Sequence, residues 1–315
     1  MAERTLLELL CCPICHSRLV PADEELRCSE TGCARCFPSV AGCPILINEE
    51  RSTFRIEDFV AEKPAFFKPA GSLRRIVSAC LPHLSRNLRA TQDVERLRDL
   101  LRIQSEAPKV LIVGGGVVGA GIEMLLEDPA IEVIETDAGV TARVQVVCDA
   151  HDLPFSSGSF DAVIAQAVLH HVADAPRCVA EIHRVLKNDG LVYADTGFMV
   201  QVHGREYDFA RYTPLGHRRL FRHFDEIDSG ISLGPGTALA WSIKYFFLSF
   251  TRSHFLRRVI GGCSRLSFFW LKYFDYFLKS RPAALDAAAG IVFLGRKREN
   301  PVADHELGRS YRGGM

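Results

Sequence analysis

Lys109-Val110-Leu111-Ile112-Val113-Gly114-Gly115-Gly116-Val117-Val118-Gly119 is the stretch on which the reading of this chain turns. Val110–Val113 is an unbroken apolar run, the kind buried on both faces of a parallel sheet. Gly114, Gly116 and Gly119 then spell G-x-G-x-x-G. Glycines there permit a tight turn and let the backbone approach a ligand at the start of the next helix. That helix is predicted to run to Glu127. Working outward, further strands are predicted at Ile131–Glu135, Val144–Cys148, Phe160–Ala165 and Leu191–Ala194. Cys178–Leu186 has helical periodicity and stops at the turn Asn188-Asp189-Gly190. Strands alternating with helices predict an α/β, doubly wound, Rossmann-like sheet with helices on both faces.

Asp137 stands 18 residues beyond Gly119, after the second strand. A carboxylate there can accept hydrogen bonds from both ribose hydroxyls of an adenosine-containing ligand. NAD and S-adenosylmethionine both meet that description. The next motifs separate them. Cys148-Asp149-Ala150-His151-Asp152-Leu153-Pro154-Phe155 leads into Ser159-Phe160-Asp161-Ala162-Val163-Ile164-Ala165. Val168-Leu169-His170-His171-Val172, Glu181-Ile182-His183-Arg184-Val185-Leu186 and Asp189-Gly190 follow in order. Over roughly residues 108–200 the chain resembles the class I S-adenosylmethionine-dependent methyltransferases, in their broad small-molecule and glycan branch.

The resemblance implies a seven-stranded methyltransferase sheet. It also implies cofactor contacts: Gly114 and Gly116 at the methionine end, Asp137 on the ribose, Asp149 and the Ala150 backbone on the adenine. Gln166 would line the junction between cofactor and acceptor. Ile112 departs from the pattern, which often has an acid two residues before the first glycine. The reaction asks little of side chains, since proximity and in-line alignment supply much of the acceleration.

Of 11 cysteines, seven precede residue 44. Cys12-Pro13-Ile14-Cys15, with Cys28 and then Cys33 or Cys36, has four-cysteine zinc-ribbon spacing. Leu7–Ile47 resembles the short zinc-ribbon proteins that serve as partner subunits of methyltransferases. That pattern implies a structural Zn²⁺ on Cys12, Cys15, Cys28 and Cys33, with Cys36 as the alternative fourth ligand. Chelation is then expected to unfold residues 1–50 and leave the later sheet intact.

On the acceptor side, His203-Gly204-Arg205-Glu206-Tyr207-Asp208-Phe209-Ala210-Arg211-Tyr212-Thr213-Pro214 follows the fifth strand. It is similar to a D-x-x-R-(Y/F)-T segment of sugar- and polysaccharide-associated relatives, which makes His203, Tyr207, Asp208 and Arg211 the catalytic candidates, with Tyr212 beside them. The plainer reading is a salt-bridged, aromatic-packed helix start. His170 and His171 read as structural histidines, one of which could face the pocket.

The expected organisation is a zinc ribbon over 1–50, a linker and helical segment over 51–107, and a methyltransferase domain over 108–296. A disordered tail over 297–315 completes it. An aromatic and basic helical insertion is expected over 235–282. Within it, residues 241–282 hold 13 of the chain's 29 aromatics, eight Lys or Arg, and one acid, Asp275. Two readings compete: a cap packed over the pocket, or docking on an anionic membrane beside a lipid-linked acceptor. RNA contact is a third, since basic and aromatic residues also make a stacking surface.

Lys+Arg and Asp+Glu tie at 38, which argues against a sequence-blind grip on nucleic acid by the whole chain. No apolar run reaches the ~18 residues of a spanning helix, and Glu3 and Glu8 are wrong for a signal peptide. The expected setting is cytoplasmic, at most peripheral on the inner face of a membrane. The functional expectation is methyl transfer from S-adenosylmethionine to a small-molecule, glycan or lipid-linked acceptor. Its rivals are an RNA methyltransferase that grips RNA with the ribbon, an NAD-dependent oxidoreductase, and a degenerate scaffold, the last resting on Ile112. The RNA reading lacks the Asn/Asp-Pro-Pro-aromatic motif, because the fourth strand ends Ala165-Gln166-Ala167-Val168.

Overall fold

The computed structural model describes residues 2–61 and 81–314, and side chains from residue 6. Helix α1 (Ala2–Leu9) leads into strands β1 (Leu19–Ala22), β2 (Glu25–Cys28), β3 (Cys36–Val40) and β4 (Cys43–Leu46). A short α2 (Ile56–Val60) and the longer α3 (Ala90–Gln104) follow. The α/β unit then runs β5 (Lys109–Val113), α4 (Glu123–Leu126), β6 (Glu132–Asp137), β7 (Val146–Cys148), β8 (Phe160–Gln166), α5 (Ala175–Val185) and β9 (Leu186–Gly197). It closes with α6 (Pro214–Leu220), β10 (Phe224–Leu233), α7 (Pro235–Leu248), α8 (His254–Phe268), α9 (Asp275–Leu278), α10 (Pro282–Asp286), β11 (Gly290–Lys297) and α11 (Asp304–Arg309). Pro64, Pro69 and Cys80 of the expected linker lie outside the described residues.

The strand order is β1-β2-β3-β4-β7-β6-β5-β8-β9-β11-β10. From β7 to β10 this is the doubly wound arrangement: β7, β6, β5, β8 and β9 run parallel, and β11 lies antiparallel between β9 and β10. Both faces are covered. On one face α5 buries Cys178, Val179, Ile182 and Val185 over Leu111, Val163 and Val192. On the other, α3 buries Val94, Leu97 and Leu101 over Val110, Ile112, Ala162 and Tyr193. Ile112, the departure from the acidic pattern, is therefore core. The order in which strands are added reverses between β5 and β8, which sets the ligand crevice at their carboxyl ends.

Three features differ from the sequence reading. The helix after the glycine loop starts only at Glu123, because Gly121 has φ +83°, a left-handed conformation no helix can pass through. The ribbon is not a separate module. Its last strand β4 pairs in parallel with β7, Ile45 opposite Val147 and Leu46 opposite Cys148. Leu10, Leu19, Phe37 and Leu46 share one buried core with Val113, Ile134 and Phe155. Backbone bonds from Cys11 N to Pro154 O (2.9 Å) and Ser156 N to Leu9 O (2.9 Å) stitch the two together.

Third, the tail expected to be disordered is folded back on the domain. Arg218 Nη1 donates to Ser310 O (2.7 Å), Arg219 pairs with Asp304, and Asp286 accepts from Tyr311 Oη (2.5 Å) and Gly314 N (2.8 Å). The many backbone carbonyls and acids at the sheet's end give this polar segment partners that composition alone does not reveal.

The insertion between β10 and β11 is pinned by its one acid. Asp275, 0% exposed, accepts from Gly236 N (2.6 Å), Thr237 N (3.1 Å) and Thr237 Oγ1 (2.8 Å). A carboxylate there satisfies unpaired N–H groups at the start of α7 and complements its dipole. Arg265 donates to Leu81 O and Pro82 O, and Lys272 to His83 O (2.6 Å), tying the helices to the segment before α3. Their outer aromatics are left uncovered by the chain: Phe250 is 73% and Phe277 76% exposed, with Phe246, Phe255, Trp270 and Phe274 also open. Among the described residues no helix is long and apolar enough to cross a membrane.

Candidate active site and metal cluster

The crevice is built at the ends of β5, β6, β7 and β8. Gly114 turns the chain at φ +79°, and a Cβ there would strike Val168 Cγ2 at 2.5 Å. Its N–H and that of Gly115 both donate to Thr136 O (2.8 Å each), which clamps the loop to the end of β6. Asp137 follows, and its Oδ2 accepts from Gly116 N (2.9 Å). Burial raises this carboxyl above the usual range, while loop N–H groups of Gly116, Gly139 and Ala138 pull the other way. The glycine loop and the acid of β6 are thus one unit.

Asp149, at the end of β7, is buried. Its Oδ1 accepts from His151 N (3.0 Å) and Nδ1 (2.5 Å), its Oδ2 from Ser52 Oγ (2.5 Å). Burial works to raise its pKa, but the His151 and Ser52 bonds prevail and hold it below the ordinary value. His151 Nε2 in turn accepts from Asp174 N (2.9 Å), so the proton on Nδ1 points at Asp149. Ser52 and His151 escaped the sequence reading. Ser52 lies 97 residues from Asp149 in a segment with no motif, and only folding joins them. Ala150 follows Asp149, half-buried. Gln166 ends β8, with Nε2 on Ala120 O (3.4 Å) and a buried Oε1 that has no partner. Ala167 next to it sits at φ +59°, the strained backbone common at ligand sites.

The acceptor side follows β9. Asp208, its side chain 1% exposed, accepts from His203 N (2.7 Å), Gly204 N (3.1 Å) and Arg211 Nη2 (2.9 Å), and pairs with Arg211 Nη1. Burial pushes its carboxyl up, but Arg211 and the two N–H groups overcome this and hold it far below the usual range. Arg211 also donates to Val200 O (2.9 Å), Ala210 O (2.7 Å) and Gln201 O (3.2 Å). This pair spends its polar atoms on holding the 200–211 loop. Tyr207 stacks on Phe54 at 5.6 Å. His203 Nδ1 donates to Gln201 O (3.0 Å), and its Nε2 meets His170 Nε2 at 3.3 Å. His171 Nδ1 donates to Tyr207 O (2.8 Å). Burial, then the neighbouring His171 and His203, pulls His170 down to about 2, and burial also lowers His171. An open groove beside the loop is lined by Val200, Gln201, Phe209, Arg211 and Tyr245.

At the ribbon, the sulfurs of Cys12, Cys15, Cys28 and Cys33 lie within 4.8 Å of one another. Cys12–Cys33 is 3.8 Å and Cys15–Cys28 3.3 Å. Thiolates ~2.3 Å from a tetrahedral zinc stand ~3.8 Å apart, so this donor set fits the ion. Burial acts to raise the Cys15 thiol, yet bonds from Ser17, Cys28 and Cys12 bring it down to about 7. Cys36 is outside the cluster: it lies in β3, exposed, and accepts from Arg27 Nε at 3.4 Å.

Residues 99–194 match the family described as methyltransferase domain. Rat mitochondrial arginine-hydroxylase NDUFAF5 is 43% identical over 58 residues, 18% of this chain and 16% of that protein. The ubiquinone/menaquinone biosynthesis C-methyltransferase UbiE of Citrifermentans bemidjiense is 44% identical over 46 residues, 15% of this chain and 20% of that one. The chain thus spans no more than a fifth of the length of these relatives. Among solved structures, phosphoethanolamine N-methyltransferase 2 of Haemonchus contortus has 18% identity over 65% of this chain and 52% of that one, TM-score 0.41. A chain of the complex between the Haloferax volcanii Trm112 methyltransferase activator and a methyltransferase has 16% identity over 68% and 99%, TM-score 0.40. Residues 99–194 thus carry a methyltransferase domain, set on the doubly wound sheet.

Proposed function

We propose that this methyltransferase domain is an active enzyme that transfers a methyl group from S-adenosylmethionine to a lipid-linked acceptor at an anionic membrane surface. The observation that carries the cofactor reading is the coupling of Gly116 N–H to Asp137 at the mouth of the crevice. The residues fit an adenosyl cofactor. Asp137 keeps lone pairs for ribose hydroxyls, Asp149 and the Ala150 backbone face the adenine position, and Gly114 and Gly116 back the methionine end. Gln166 Oε1, buried without a partner, is an acceptor awaiting a donor at the junction with the acceptor. When bound, the cofactor supplies an electrophilic methyl group. The protein's work is then orientation and exclusion of water. The Ser52–Asp149–His151 chain fixes the adenine-side carboxylate, and the Asp208–Arg211 pair holds the loop that shapes the acceptor groove.

The lipid-surface reading is supported by the aromatic insertion. Phe246, Phe250, Phe255, Trp270, Phe274 and Phe277 are exposed on one short stretch, alongside the basic Arg252, Arg258 and Lys279. Phe246 packs against Phe247 and Phe250, and Trp270 against Phe274; exposed aromatics beside cations match the makeup of interfacial anchors. The ribbon's part is structural: with zinc on its four cysteines, it adds β4 to the sheet beside β7 and so steadies Asp149. Calorimetry with S-adenosylmethionine, its demethylated product and NAD tests the cofactor. Binding of the first two with no heat from NAD is expected, and the reverse pattern refutes the reading. Co-sedimentation with phosphatidylglycerol vesicles tests the surface, and protein left in the supernatant at low salt refutes it.

A further inference from the structure

The three histidines on the acceptor side have no part in the cofactor site, and their arrangement is unusual. His170 and His171 leave the end of β8, His203 comes from the loop after β9, and the three rings meet with centroids 4.1, 5.3 and 5.1 Å apart. One nitrogen of each lies within 4.8 Å of the other two. We infer that His170, His171 and His203 form a site for a first-row divalent metal ion of the zinc or iron(II) class, with an open coordination position toward the acceptor groove.

Three observations carry this. The first is distance: two imidazole nitrogens held ~2.05 Å from a tetrahedral ion stand ~3.3 Å apart, and His170 Nε2 and His203 Nε2 are 3.3 Å apart. The second is orientation. His171 and His203 both give their Nδ1–H to backbone carbonyls, of Tyr207 (2.8 Å) and Gln201 (3.0 Å). That fixes each ring's tautomer, leaves its Nε2 lone pair available to an ion, and is the outer support metal-binding histidines typically have. At His170 the Nδ1 accepts a long 3.4 Å contact from Gly197 N. Ligation through Nε2 moves that ring's proton to Nδ1 and gives up this weak contact together with the 3.3 Å Nε2–H bond from His170 to His203 Nε2. The third is access. His170 is buried, His171 half-buried, and the His203 side chain is 35% exposed, so the cluster opens at one side beside the groove of Val200, Gln201 and Tyr245. Three protein ligands with one open position is the pattern of a catalytic rather than a structural site. Imidazole donors without thiolate or carboxylate favour zinc, iron, nickel or copper over magnesium or calcium. An ion there would bind an acceptor hydroxyl or water as a Lewis acid and release its proton to solvent. That role rests on the methyl-transfer reading, whereas metal binding itself does not.

The test uses the full chain with its ribbon intact. After removal of loosely held ions, Zn²⁺ is titrated calorimetrically and bound metal is counted. The expected result is two zinc ions per chain at saturation, with His203→Ala reduced to one or its second site weakened roughly 100-fold or more. A single zinc in the native chain, or an undiminished second site in His203→Ala, overturns the inference. Because a variant can disturb the loop, cadmium-113 resonance of the unaltered chain gives an independent reading. A signal from a nitrogen- and oxygen-ligated ion, apart from that of four thiolates, is expected, and a thiolate signal alone overturns it. S-adenosylmethionine binding measured on the same samples separates failure of this site from failure of the functional proposal.

Discussion

Leu46→Ala should weaken the whole protein and not merely its ribbon. Leu46 is 0% exposed and sits in the core that joins ribbon residues Leu19 and Phe37 to sheet residues Val113 and Ile134. Its backbone is paired with Cys148, the last residue of β7 and the one before Asp149. Truncating a fully buried leucine costs about 2–5 kcal/mol, and the middle of that range applies where a rigid sheet limits collapse around the cavity. The assay is urea unfolding followed by far-ultraviolet circular dichroism and by tryptophan fluorescence. Both tryptophans, Trp241 and Trp270, lie in the insertion that follows β10, at the opposite edge of the sheet from β1. One transition, shifted equally by about 3 kcal/mol in both signals, is expected. S-adenosylmethionine affinity should also fall, through the loosened Asp149. An unmoved fluorescence midpoint with an early dichroism phase would show the ribbon folding on its own and refute the reasoning.

Metal removal should act in the same way: chelation, or Cys15→Ser, is expected to lower the fluorescence midpoint too, against the simpler idea that only residues 1–50 would unfold. Asp137→Ala should weaken S-adenosylmethionine about ten- to hundredfold, from the roughly 1.5–3 kcal/mol of a charged hydrogen-bond acceptor, with the melting transition retained; an unchanged dissociation constant places the ribose elsewhere. Phe250→Ser combined with Phe255→Ser should reduce vesicle binding while leaving cofactor binding intact, since both rings are exposed and neither lies in the crevice; equal sedimentation counts against the insertion as anchor. Asp195 gives a pH signature: burial pushes its carboxyl up to about 6, against bonds from Ser232 and Asn87. The folded chain keeps this proton where the unfolded chain has lost it, so the stability advantage of the native protein over Asp195→Asn should shrink as pH rises from about 4 to 6, then level off, by up to about 3 kcal/mol in all. A difference independent of pH contradicts this assignment.

The sequence by itself determined what local pattern and short spacing can carry. The apolar run at Val110–Val113 with its glycines, the helical periodicity of Cys178–Leu186, and the Cys12-x-x-Cys15 knuckle are each written within a few turns of chain, and each implies its element directly. What only the tertiary structure decided depends on residues far apart. Cys33 and not Cys36 joins the cluster because Ala34, at φ +46°, turns the chain so that Cys36 enters β3 opposite Arg27. Gly121 shortens a helix that periodicity alone carried through: it takes φ +83° where the loop packs on α3, and an added Cβ there would come within 3.0 Å of Thr91 Cα. Ser52 reaches Asp149 across 97 residues, and His203 reaches His170 across 33. The docking of β4 on β7 joins strands about a hundred residues apart. Hydrophobic period and turn chemistry act over neighbouring residues, whereas these contacts exist only once the sheet has closed and brought separate loops to one edge.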